Sequence, residues 1–125
     1  MQTLEKPIEN PNKATPIFDQ MYNLIDQKLA AVIKRRGAEN GLASFLNDLK
    51  ACDQFDLIEH LKNINVPMLA ICGDQDVMTP PKCSTFLVEN VHGAKQVIIS
   101  GGTHMVFAEK PNEVNQAIET FLEGI

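Results

Sequence analysis

The sequence predicts an α/β fold: helices in the first half, then a β-α-β-α unit whose two strands run parallel. Three observations carry this expectation. Residues 68–72 (Met-Leu-Ala-Ile-Cys) form an uncharged apolar run of strand length, ended by Gly73, Asp74 and Asp76. A second run centred on Val97-Ile98-Ile99 spans 95–100. Residues 111–123 then place Val114, Ala117, Ile118, Phe121 and Leu122 at i, i+3, i+4, i+7, i+8, the stripe of an amphipathic helix. Uninterrupted apolar runs suit parallel strands covered on both faces. A right-handed crossover through a helix over 81–90 makes the two strands neighbours.

Taken in order, residues 1–14 hold Pro7, Asn10, Pro11 and Asn12 with few apolar side chains, and read as a flexible arm or linker. Thr15-Pro16 opens a helix by capping and by the tolerance of proline at the first helical position. Phe18, Met21, Tyr22, Ile25, Leu29, Val32 and Ile33 continue it at helical spacing. Lys34-Arg35-Arg36 before Gly37 predicts its end, with positive charge on the last carbonyls and glycine at the exit. A contact to an acidic ligand is the alternative use of that triplet. A second helix is expected over 42–49 with Leu42, Phe45, Leu46 and Leu49 on one side, and a third over 56–63 capped by Asp56. His60 on the third reads as a surface or packing residue. Thr79-Pro80 is expected to cap and open the helix after the first strand, with Phe86 and Leu87 turned inward. The chain thus divides into an arm (1–14), a helical segment (15–65) and a β-α-β-α unit (66–125).

Length and composition narrow the function classes. The 125 residues make one domain by size, with 44% hydrophobic and 22% charged residues. A formal charge of −5 argues against sequence-independent nucleic-acid binding, which needs a basic face. No apolar run reaches membrane-spanning length, and the first residues lack the apolar stretch of a secretory signal. Cys52, Cys72 and Cys83 have no metal-ligand or CxxC spacing, and their odd number suits reduced thiols in a cytoplasmic protein.

Asp76 and His104 carry the chemistry. Each follows a strand, so a parallel arrangement brings both to the C-terminal edge of the sheet, where open α/β folds place their sites. An aspartate accepting a hydrogen bond from an imidazole fixes its tautomer and stabilises the imidazolium, which is the orienter and base of a catalytic triad. Gly101-Gly102 before His104 permit a tight turn. Val106-Phe107-Ala108 beyond it are expected to shield the ring, and Met105 and Phe107 are expected either to line an acyl pocket or to pack on the last helix.

These residues resemble the C-terminal part of the α/β-hydrolase fold family. The matching features are Ile64-Asn65-Val66-Pro67, Gly73-Asp74-Gln75-Asp76 with Pro80, Val97-Ile98-Ile99, His104, and Glu109-Lys110-Pro111 before the closing helix. The resemblance covers about residues 55–125. It implies that Asp76 is the triad acid and His104 the base, that Asp74 serves the turn, and that residues 15–50 are cap-like helices. Thr103 stands where the family commonly has glycine. The implied reaction is hydrolysis of a small-molecule ester, lactone or related acyl bond, with no metal and no organic cofactor.

The family's nucleophile sits on a G-x-S-x-G elbow upstream of acid and histidine, and no such motif occurs in the 125 residues. Ser44 and Ser84 fall in helices, and Ser100 ends a strand without glycine framing. The part of the oxyanion hole built beside the elbow is expected to be missing with it. The family's sheet has about eight strands against two found here, so the expectation is a truncated α/β-hydrolase fold, inactive alone. An open strand edge further predicts self-association, or docking on a complementing N-terminal hydrolase segment.

Overall fold

The computed structural model describes residues 22–125. The expected arm and the Thr15-Pro16 helix start lie outside the described residues. Within them the order is α1 (Gln27–Gln54), a 3₁₀ turn (Ile58–Asn63), β1 (Leu69–Gly73), α2 (Pro81–Asn90), β2 (Lys95–Ile99), α3 (Val106–Glu109) and α4 (Pro111–Leu122). The two strands pair in parallel, with Leu69 opposite Lys95 and Gly73 opposite Ile99.

Asp26 caps α1, its Oδ1 accepting the N–H groups of Lys28 and Leu29 at 3.1 Å each. The helix does not end at Gly37. Glu39 reaches back across that glycine to Arg36 at 3.0 Å and Arg35 at 3.6 Å, while Lys34 lies 4.8 Å above the Tyr22 ring. The basic triplet is therefore spent inside the helix, and exposed pairs of this kind add a few tenths of a kcal/mol each. The break falls at Gly41, where φ 78° and ψ 158° are open to glycine and not to other residues. What the sequence suggested as two helices is one helical stretch kinked at Gly41, and it continues past Leu49 to Gln54.

Leu57, and not Asp56, holds the capping position of the next turn, while Asp56 just before it accepts from the Ile58 N–H at 3.0 Å. The turn is 3₁₀ and not α, closed by short-range bonds from His60 N–H to the Leu57 carbonyl and from Ile64 N–H to the Leu61 carbonyl. His60 is exposed on it.

The sheet is covered on both faces. Side chains alternate across a strand, so Ala70, Cys72 and Gln96 share one face while Ile71, Val97 and Ile99 share the other. On the first, Ser84 Oγ of α2 lies 3.2 Å from Cys72 Sγ and accepts from Gln96 Nε2 at 2.7 Å. On the second, Ile99 packs with Val106 of α3 and Val114 of α4, joined by Ile71 and Val97. The inward face of α2 is set by buried Ser84 and half-buried Leu87 and Val88. Phe86 stands off that face and is 40% exposed, contrary to expectation.

Candidate active site

Both strands end at one sheet edge, and two loops meet there. Gly73 closes β1 against the backbone of Gly102: a Cβ on Gly73 would stand 2.1 Å from the Gly102 carbonyl oxygen. Gly101 turns the second loop at φ 70°, another conformation that favours glycine. Three hydrogen bonds then join the loops. Asp74 N–H donates to the Ile99 carbonyl at 3.1 Å, and Gln75 N–H to the Gly102 carbonyl at 2.9 Å. Gly101 N–H donates to Asp74 Oδ1 at 2.8 Å. Asp74 thus fastens the turn.

This packing brings Asp76 and His104 together across 28 positions of sequence, with Asp76 Oδ2 2.9 Å from His104 Nδ1. Asp76 is 6% exposed and every carboxylate oxygen is engaged. Oδ1 accepts the Met78 N–H at 2.8 Å and the Thr79 N–H at 2.9 Å, and Oδ2 accepts the Thr79 hydroxyl at 2.9 Å. Burial pushes the Asp76 carboxyl up. Hydrogen bonds from the Thr79 N–H, His104, the Thr79 hydroxyl and the Met78 N–H outweigh it, and hold the group below its ordinary value of 3.8. Asp76 is therefore an anion at neutral pH. The His104 side chain is 31% exposed, and Nε2 has no hydrogen-bond partner among the described residues. A buried carboxylate on Nδ1 and an open Nε2 are the arrangement of a general base held in one tautomer.

The histidine loop has a second carboxylate. Glu109 Oε2 accepts the Thr103 N–H at 2.7 Å, and Oε1 accepts the Thr103 hydroxyl. Thr103, where glycine was the family expectation, uses both of its donors on Glu109 and secures the residue just before His104. Val106 turns down into the core, whereas Phe107 is 58% exposed.

Thr79 and Glu109 are the two site residues that sequence reasoning left without a role at the pair. Thr79 was expected to cap α2, but Pro80 holds that position and the helix opens at Pro81. A signal for Thr79 was present in Asp76-Val77-Met78-Thr79, since an aspartate accepting N–H groups two and three residues on is a common local turn. Ser84 is no nucleophile here. Its hydroxyl donates to the Pro81 carbonyl at 2.9 Å, and the residue is buried against Cys72 and Gln96 of the sheet. The three cysteines are free, with Cys52 and Cys83 exposed and Cys72 buried. Among the described residues no cluster of three or more His, Cys, Asp or Glu could hold a metal ion, and no helix is long and apolar enough to cross a membrane.

The chain is similar to known hydrolases. The family model described as serine hydrolase (FSH1) matches residues 29–116. A pimeloyl-acyl-carrier-protein methyl ester esterase of Neisseria meningitidis serogroup C is 28% identical over 89 residues, covering 70% of this chain and 35% of that protein. A solved thermophilic esterase is 34% identical with a TM-score of 0.69, covering 85% of this chain and 44% of the other. A solved bromoperoxidase from Bacillus anthracis is 25% identical with a TM-score of 0.75, over 81% of this chain and 37% of the other. The chain thus spans about 35% to 44% of the length of these proteins. A solved α/β hydrolase, MGS-M2 from a Medee basin deep-sea metagenome library, is 31% identical with a TM-score of 0.52, over 54% of this chain and 25% of the other, and the two parallel strands with their flanking helices correspond to part of that fold. The chain belongs to the serine hydrolase (FSH1) family and carries a truncated α/β-hydrolase fold.

Proposed function

We propose that this chain supplies the acid and base of a serine-type hydrolase, with the nucleophile coming from outside its 125 residues. The observation that carries the reading is the 2.9 Å contact between buried Asp76 and His104 Nδ1, with Nε2 left open. In that role Nε2 takes the proton of an attacking hydroxyl and returns it to the leaving group, while Asp76 stays ionised and stabilises the imidazolium between the two steps. The substrate class is a small molecule with an ester, lactone or related acyl bond. The esterases among the relatives support this choice. Free thiols suit a cytoplasmic setting.

A second reading is a non-catalytic module that self-associates or docks on a nucleophile-bearing hydrolase segment. It is favoured by Leu42, Leu46 and Leu49, exposed on the half of α1 beyond the kink, and by β1, whose second edge has no strand among the described residues. Incubating the purified chain with p-nitrophenyl butyrate and a fluorophosphonate label separates the cases. The proposal expects hydrolysis at the level of a blank and no labelled serine, because no hydroxyl among the described residues is hydrogen-bonded to His104 Nε2. Turnover or labelling by the chain alone would overturn the division of roles. Light scattering on the same sample gives the mass, and a monomer would count against self-association.

A further inference from the structure

We infer that Thr79 is a positioning residue for the Asp76–His104 pair, holding the imidazole in the form that carries its proton on Nδ1. The inference depends on the proposed function for its catalytic meaning, but the hydrogen bonding it invokes is measurable without any turnover. The Thr79 hydroxyl lies between the two partners: it donates to Asp76 Oδ2 at 2.9 Å and stands 3.2 Å from His104 Nδ1. A threonine hydroxyl has one proton. Spent on the carboxylate, that proton leaves only oxygen lone pairs facing the ring. Nδ1 then meets two acceptors, Asp76 Oδ2 and Thr79 Oγ1, and a bare nitrogen there would find no donor. The proton belongs on Nδ1, and the neutral ring presents its lone pair at Nε2.

The placement of Thr79 explains a second feature. Asp76 is almost fully buried, whereas Thr79 is exposed, so the threonine stands between the carboxylate and water. Its backbone and side chain both bond Asp76, one to each oxygen. The N–H at Oδ1 and the hydroxyl at Oδ2 together define the plane of the carboxylate, and with it the direction from which His104 is held. The groups facing Nδ1 come from the loop after β1 alone; Glu109, on the other side of the histidine loop, is occupied by Thr103.

Nitrogen-15 NMR of the imidazole in the intact chain tests this, with the exchange rate of the Nδ1 proton as the main readout. In the wild type, Nδ1 should carry the protonated-type shift and Nε2 the unprotonated type at neutral pH. Thr79→Val keeps the shape and removes the hydroxyl, and should speed exchange of the Nδ1 proton about ten-fold, the size expected for losing one hydrogen bond of ordinary strength. It should also raise the Asp76 carboxyl titration. Thr79→Ser should restore both, which a purely space-filling role would not predict. If the valine variant does not fold, Thr79→Ala gives the same comparison. Unchanged exchange in the hydroxyl-free variants, or a wild-type ring protonated on Nε2 instead, would overturn the inference. Unchanged exchange would leave the proposed hydrolase role standing, whereas a ring protonated on Nε2 would count against His104 as the base as well.

Discussion

Asp76→Asn should lower kcat about 10⁴-fold in a hydrolase that contains this chain, the loss seen for the same change in the Ser-His-Asp template. That is about 5 kcal/mol of transition-state stabilisation. The measurement needs a nucleophile. It can be supplied by a chimera in which this chain replaces the corresponding 44% of the thermophilic esterase it resembles. The amide keeps the shape of Asp76, so the Met78 and Thr79 N–H bonds to Oδ1 can persist. What fails is Oδ2. If the NH2 group takes that position it faces two former donors, the Thr79 hydroxyl and the Nδ1 proton, and the ring turns its bare nitrogen towards it. Nε2 then carries the proton and cannot accept one. The substrate's KM should change little, because Asp76 is buried behind the histidine. A loss that appears mainly in KM would place Asp76 in substrate binding.

Gly73→Ala should be the most damaging small substitution for folding. The added methyl would lie 2.1 Å from the Gly102 oxygen, 2.2 Å from its carbonyl carbon and 2.8 Å from the Thr103 carbonyl oxygen. All three are backbone atoms, so no side chain can swing aside. The histidine loop must lift off the end of β1, straining the bonds from Asp74 and Gln75 to Ile99 and Gly102. The expected cost is about 3 kcal/mol, a fall of about 10 °C in Tm for a domain of this size. Gly37→Ala is the control: nothing lies within 4 Å of its added methyl and the position is helical, so it should stabilise slightly. Equal melting temperatures for wild type and Gly73→Ala would show that the two loops are not packed as described.

The strands, the crossover and the final helix were legible because apolar runs and glycine or proline ends are local signals. The observed strands start within one residue of the expected ones and run parallel as expected. The Asp76–His104 pair was legible for a different reason: chain order and topology put both residues at one edge before any side chain is known. Other features depended on partners that local sequence does not announce. Gly37 looked like a helix end, but Glu39 bridges it to Arg35 and Arg36, and the kink moved to Gly41. Thr79 looked like a cap because Pro80 follows it, yet its hydroxyl serves Asp76 and a histidine 25 positions away. Phe86 looked inward-facing by its size alone. Its position on α2 is decided by which face carries Ser84, and that depends on Gln96 and Cys72 of the sheet. The kinked α1 keeps a run of exposed leucines for which nothing among the described residues supplies full cover.

The decisive measurement is ester hydrolysis by the same chimera with and without His104. Turnover should be present with the native histidine and fall by about 10⁶-fold, to the level of a blank, in the His104→Ala variant. A folded His104→Ala chimera that still hydrolyses p-nitrophenyl butyrate at the unmodified rate would contradict the assignment of His104 as the base.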